Sequence, residues 1–294
     1  MQTPAQANNA EAPATANRER PPAARVALHA ALILVVVLWL LPSVGVLITS
    51  VRTPTDISSS GWWTVLAHPN FTLDNYRAVI DAPGFWRTLL NSFIITIPAV
   101  IAPILIASLA AYGFACTKFP GRNVLFMIVI ALMVVPIQMG FVPALHFFRA
   151  LSIGSGYGAI WIAHTAYALP FAIFLLRSFF AQLPREILDA ASVDGASKLR
   201  TYWSIVLPLS RPALASLAVL QFLWVWNDLL MALVFIQKDE LEPLTQTTAQ
   251  LIGNYAQQFN LLSASAVILM VVPLVVFLAL QKHFVRGLVA GAVK

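Results

Sequence analysis

The sequence predicts an all-α integral membrane protein built on six transmembrane helices. Three observations predict it. Hydrophobic residues make up 59% of the 294-residue chain and charged residues only 10%, against about 25% charged in soluble domains. The apolar residues gather into six runs, each of about 20 or more residues, enough to cross a hydrocarbon core and far longer than a barrel strand. Finally, the basic residues sort to one side of those runs.

Taken in order, residues 1–24 are rich in Ala, Pro, Asn, Gln and Arg and hold no apolar stretch, so a disordered tail is expected. Residues 26–50 are too long for a signal-peptide core and lack a cleavage pattern. They read as an uncleaved first span, kinked near Pro42 and Gly45. Residues 51–85 form a polar and aromatic loop, with Trp62 and Trp63 suited to a membrane interface. Within it, 72–81 reads as a short helix with Thr72 as N-cap. Residues 86–114, 124–148 and 158–180 are the second, third and fourth spans, and 213–236 and 261–284 the fifth and sixth. Pro98, Pro103, Pro136, Pro143, Pro170 and Pro273 interrupt them, as a helix bundle in lipid tolerates. Residues 25–294 thus read as one transmembrane domain.

Charge sets the orientation. With the N-terminus in the cytoplasm, the inside segments hold Arg18, Arg20, Arg25, Lys118, Arg122, Arg177, Arg185, Lys198, Arg200, Arg211, Lys282, Arg286 and Lys294, which is 13 of the 18 basic residues. The outside segments hold Arg52, Arg77, Arg87, Arg149 and Lys238. The positive-inside rule therefore expects both termini and residues 181–212 in the cytoplasm, and loop 51–85 outside. The net charge of +6 is then mostly a topology signal, and no nucleic-acid partner is expected. No GxxxxGK[ST] phosphate loop, HExxH or paired-cysteine pattern occurs, and Cys116 is the single cysteine. No catalytic residue, metal site or cofactor is expected in this chain, which reads as no enzyme.

Residues 189–212 interrupt the apolar pattern with charge and polar backbone, which belong in water or against another protein. Pro184 suits the first position of a helix, followed by Arg185 and Glu186. Ile187, Leu188, Ala190 and Ala191 supply its apolar face, and Gly195 lets the chain turn. Tyr202, Trp203 and Ile205 are placed to pack a second helix on the spans, with Leu207-Pro208 ending it before the fifth. A structured cytosolic segment without chemistry of its own suggests docking.

The spacing Asp189-Ala190-Ala191, three residues, Gly195, nine residues, Ile205, one residue, Leu207-Pro208 resembles the EAA loop of bacterial ABC-importer membrane subunits. The departure is Asp189, where the family has Glu; Glu186, one turn upstream, can share the role. Trp226-Asn227-Asp228, Tyr112-Gly113-Phe114-Ala115, Phe119-Pro120-Gly121 and the tail at 281–294 resemble the carbohydrate-uptake branch, which includes the smaller maltose permease subunits and alpha-glucoside and glucose permeases. The resemblance covers 26–294. It implies a type I importer permease fold in the bacterial inner membrane. It implies that Glu186, Asp189, Ala190, Ala191, Asp194, Gly195, Ala196, Ile205, Leu207 and Pro208 dock a cytosolic ATPase dimer, which itself uses ATP and Mg. It also implies a second, homologous permease subunit, a periplasmic or extracellular sugar-binding protein and lipid as partners, and a mono- or oligosaccharide as cargo.

Polar groups inside the spans complete the reading. Gln138, His164, Tyr167, Trp224, Asn227 and Asp228 are candidates to line a substrate pathway, since sugars are held by directional donors and acceptors beside aromatic faces. An ionisable residue at membrane depth is a functional candidate by default. For any single one of them, interhelical hydrogen bonding or contact with the partner subunit is the plainer reading and is preferred. A polyol or glycerol phosphate stays open as cargo. An ion-driven secondary transporter is the rival class, but the chain shows no clear repeat, and Asp228 alone as a membrane-embedded acid.

Overall fold

The computed structural model describes residues 22–254 and 258–292, and every regular element among them is helical. Most of the expected tail and the last residues of the C-terminal motif lie outside this set. By internal contacts the chain divides into residues 1–45 and 46–294. Helix α1 (Pro22–Ser50) carries Pro42 internally and forms the first span.

A compact loop follows. It contains α2 (Pro54–Ser59), a 3-10 turn at Trp62–Leu66 and α3 (Asp74–Ile80). Arg52 is buried within it, donating to the Asp56 carbonyl at 2.8 Å and to Ser60 Oγ. Asn75 donates to the carbonyls of Ser50 and Arg52 and accepts from Asn260 at 2.8 Å. Thr72 is not the N-cap of α3, contrary to expectation; Leu73 holds that position. The Thr72 hydroxyl instead accepts from the Asp74 amide at 3.0 Å, closing a small turn before the helix.

Helix α4 (Phe85–Cys116) crosses unbroken despite Pro98 and Pro103. The expected third span is not one helix. It is α5 (Arg122–Leu132), a break at 133–136, a 3-10 turn at Ile137–Gly140 and α6 (Phe141–Ala150), and the two limbs bend by 94°. Pro136 explains the position of the break, because it lacks an N–H and biases Val135 away from helix. Helix α7 (Tyr157–Phe180) is the fourth span. After it come α8 (Arg185–Val193), α9 (Lys198–Thr201), a π-turn at Tyr202–Val206 and α10 (Leu207–Leu209).

The fifth span is also broken. Helix α11 (Arg211–Trp226) ends at Asn227, and α12 (Leu229–Phe235) restarts with the Asp228 carboxylate accepting from the Met231 amide at 3.0 Å. Helix α13 (Leu244–Asn254), in a stretch with no expected element, precedes the sixth span, α14 (Phe259–Ala292). Four helices are long and apolar enough to cross a membrane, and six segments qualify when two bent pairs count as spans: α5 with 137–150, and 198–209 with α11.

Helix α4 packs along α7, and α11 packs on both α4 and α14. Ala99, Ala107 and Ala111 on α4 and Ala159, Ala163 and Ala172 on α7 are buried. Small side chains recurring along one face of each helix let the two backbones approach closely, the main packing device in lipid. Arg177, at the end of α7, lies 4.0 Å over the Phe126 ring of α5.

The two ends of α4 are pinned to different segments. Asn91 donates to the carbonyls of Glu240 and Glu242 at 2.9 Å and accepts from the Tyr157 hydroxyl at 2.6 Å. The Ser92 hydroxyl accepts from the Leu244 amide, and Glu242 takes amide donors from Gln246 and Gln250. At the other end Tyr112 donates to the Lys198 carbonyl at 3.0 Å. Asn91 and Tyr112 stand about 31 Å apart at 1.5 Å rise per residue, so the 181–210 loop and the 237–254 segment cap opposite ends of the bundle.

Candidate functional site: the 185–210 loop and a membrane cavity

The loop forms two arms joined at Gly195. Its first arm, α8, starts after Pro184, which occupies the N-cap rather than the first helical position expected from the sequence. Leu188 and Ala191 face the core, while Glu186, Asp189 and Ala190 are exposed. The arm ends in a Schellman motif: the Ala196 amide bonds the Ala191 carbonyl at 2.9 Å, and the Gly195 amide bonds that of Ser192 at 3.1 Å. Gly195 has φ +76, the left-handed conformation that this closure needs. Ser197 then caps the second arm, accepting from the Arg200 amide at 3.3 Å.

That second arm runs from Lys198 to Leu209 without a stop at Leu207-Pro208, correcting the expected boundary. Pro208 has no N–H for the carbonyl of Ser204, and the π-turn at Tyr202–Val206 takes up the mismatch immediately before it. The chain turns at Ser210, and the arm meets α11 at 74°. Tyr202 is fully buried, its hydroxyl 2.6 Å from Ser108 Oγ and its ring 5.4 Å from that of Tyr112. Val206 is buried too, whereas Trp203 is half exposed. Between the arms lies an open cavity of about 610 Å³, lined by Glu186, Ala190 and Asp194 on one side and by Arg200, Ser204 and Ile205 on the other. Ile187, Val193 and Leu199 are exposed around it. The expected loop residues are thus brought onto one structure, with Ala190, Ala191, Asp194, Ala196 and Ile205 lining one groove.

The polar groups of the spans sort unequally. A cavity of about 470 Å³ is lined by His164, Tyr167, Trp224 and Asp228, with Gln221 added and apolar walls from 132–137. Gln138 and Asn227 do not line it. Gln138 sits exposed on the 3-10 turn, and the Asn227 amide donates back to the Leu223 carbonyl at 2.8 Å. Trp161 and Trp226 are also directed elsewhere, donating to the carbonyls of Ile94 and Leu269. Gln221 precedes Trp224 by three residues and Asp228 by seven, so helical spacing would have found it. Tyr167 is fixed by Gly140, where any Cβ would clash with the phenol. His164 is 5% exposed, and its Nε2 has no hydrogen-bond partner.

The chain resembles known proteins over most of its length. Residues 103–289 match the model of the family described as binding-protein-dependent transport system inner membrane component. The chain is 46% identical over 275 residues to the osmoprotective compounds uptake permease protein GgtD of Synechocystis sp., covering 92% of each. It is 48% identical over 239 residues to the alpha-glucoside transport system permease protein AglG of Rhizobium meliloti, covering 79% of this chain and 63% of that one. In fold it matches a chain of a bacterial ABC transporter involved in the import of the acidic polysaccharide alginate, with a TM-score of 0.74 and 21% identity over 90% of this chain and 99% of the other. The helical architecture is thus that of the ABC-importer permeases, and the chain belongs to the family of binding-protein-dependent transport system inner membrane components.

Proposed function

We propose that this chain is the permease subunit of an ATP-driven sugar importer, powered through the 185–210 loop. The observation that carries the reading is that loop: a V closed by Gly195, with acidic residues exposed on one arm and Tyr202 of the other arm locked against α4. Family membership and the relative named for alpha-glucoside transport support a sugar as cargo. A cytosolic ATPase dimer docks on this loop, with Glu186 and Asp194 of the groove and the exposed Asp189 beside it as its charged contacts. ATP binding moves the docked loop, and the second arm carries that movement into α11. Coupling requires the loop to bind the two ATPase states with different affinity. A second, homologous permease completes the pathway, and a soluble binding protein delivers cargo at the opposite end, near 51–84 and 237–254. Both termini lie in the cytoplasm of a bacterial cell with the chain in its inner membrane, the side that holds most of the basic residues.

The test is reconstitution of the whole transporter in liposomes, with uptake of radiolabelled glucose, maltose, sucrose, trehalose, glycerol and glycerol 3-phosphate. ATP-dependent uptake of at least one neutral sugar is expected, and preference for glycerol 3-phosphate would overturn the cargo. Asp189→Ala is expected to weaken recovery of the ATPase with the permease by about thirtyfold or more, since truncating one partner of a desolvated charge pair costs about 2–5 kcal/mol. Unchanged co-purification would assign the contact to Glu186 or the α8 backbone.

A further inference from the structure

Residues 82–185 contain no Asp or Glu, yet Lys118, Arg122 and Arg177 fall within them. At the end of the bundle that carries the 185–210 loop, α4, α5 and α7 thus present three cations and no counter-charge of their own. Among the described residues none of the three forms a salt bridge. Arg122 opens α5 and donates to the Thr117 carbonyl at 2.8 Å. Phe126, one turn further along the same face, has the Arg177 guanidinium 4.0 Å over its ring. Arg177 Nε is buried without a hydrogen-bond partner, so a ring face is what the chain offers this charge. Lys118, Arg122 and Asn123 line an open concavity of about 340 Å³, with Phe119 and Val124 beside them. Arg185 stands apart from the three, because Asp189 lies one turn on along α8. Directly beyond Arg122, α5 turns an apolar surface outward: Val124, Leu125, Met127 and Ile128 are all exposed.

We propose that this corner binds the headgroup phosphate of an anionic phospholipid, with the acyl chains laid along the outward face of α5. An Arg fork matches phosphate oxygens with two parallel hydrogen bonds, and Lys adds a point charge. The order along the chain suits a lipid. The cations at Lys118 and Arg122 come first, and apolar side chains from Val124 to Leu132 then run into the membrane. A soluble anion would use the first feature alone. A zwitterionic lipid would bring its ammonium to a corner where α4, α5 and α7 hold no acid to receive it. A single carboxylate of the second permease would answer one cation and leave the others unpaired. Charge and apolar surface together therefore favour a phospholipid that carries net negative charge. Arg177 ends α7 shortly before α8 begins, so the bound lipid braces the segment that enters the docking loop. The inference is independent of which cargo is carried.

The assembled transporter, with partner permease and ATPase, is placed in nanodiscs of phosphatidylcholine that contain a photoactivatable phosphatidylglycerol. Label is then located by mass spectrometry. It is expected between Thr117 and Ile128 and at the end of α7, displaced by unlabelled phosphatidylglycerol and not by phosphatidylcholine or inorganic phosphate. Arg122→Gln and Arg177→Gln are each expected to lower that labelling about fivefold, and together about twenty-fivefold, the effect of one basic side chain each at an anionic lipid surface. The amount of assembled transporter should not change. If the Arg177 variant fails to assemble, Lys118→Gln with Arg122→Gln serves in its place, since Lys118 is exposed. Equal displacement by phosphatidylcholine overturns the site in favour of bulk lipid, and displacement by inorganic phosphate in favour of a soluble anion. Wild-type labelling of the double variant overturns it as well. Label that reaches this corner only when the second permease is left out assigns the surface to that subunit instead.

Discussion

Gly195→Leu is expected to abolish ATP-driven uptake and the stimulation of ATPase activity by the binding protein, at wild-type levels of inserted protein. Gly195 is exposed, with φ +76, and a Cβ placed on it meets nothing within 4 Å. The penalty inside this chain is therefore conformational alone, about 1–2 kcal/mol for an L-residue in the left-handed region. That is too little to unfold a membrane bundle. A complete loss of function must then come from outside the chain, from an ATPase surface that sits where the leucine side chain projects. Gly195→Asn separates the two causes. Asn adopts the left-handed region readily, so the Schellman closure survives while a side chain still projects from the corner. Loss in both variants places the fault at the docked surface. Recovery in Asn alone assigns it to the turn. Normal uptake by the Leu variant would remove the docking role from this corner.

The loop was legible because its determinants are local. Gly195 was read as the turn and takes the C′ position, acting within a few residues, whereas the Ser197 N-cap two residues on drew no notice and Pro208 bends the arm without ending it. The third-span break was half legible: Pro136 was visible, but the 94° bend depends on what the two limbs pack against. The fifth-span break left almost no trace. Residues 226–229 read Trp-Asn-Asp-Leu within an apolar run, and hydropathy sees a continuous span even though Asp228 caps a new helix. Helix α13 was hidden for the opposite reason. Its sequence is weakly apolar, and its start is held by a distant partner, the Ser92 hydroxyl on the Leu244 amide, with Glu242 just upstream accepting from Gln246 and Gln250. Asn91, which ties that segment to α4, drew no notice as one asparagine near the start of a span. Gln221 was missed because a single amide on an apolar helix gains meaning only when the helix break delivers Asp228 to the same cavity.

Tyr202→Ala is expected to uncouple the loop from the spans: the ATPase still binds, but sugar uptake falls to background. Tyr202 is the fully buried side chain at the base of the second arm, between Ser108 and Tyr112 of α4. Two interactions hold it, and their sizes differ. The hydroxyl contact with Ser108 is worth about 0.6 kcal/mol by the average for interhelical hydrogen bonds in membranes. Removing the ring leaves a cavity, and large aromatic-to-alanine changes in cores cost about 3–5 kcal/mol. Packing therefore dominates. Tyr202→Phe, which keeps the ring, should retain uptake within about threefold, and Tyr202→Ala should not. The docking groove is formed by residues other than Tyr202, so ATPase recovery with the permease should persist in both. Equal loss in Phe and Ala would shift the weight to the Ser108 hydrogen bond. Loss of ATPase binding in Ala would mean that the arm needs Tyr202 to hold its shape, since a V that bends at its base cannot pass a force from Gly195 to α11.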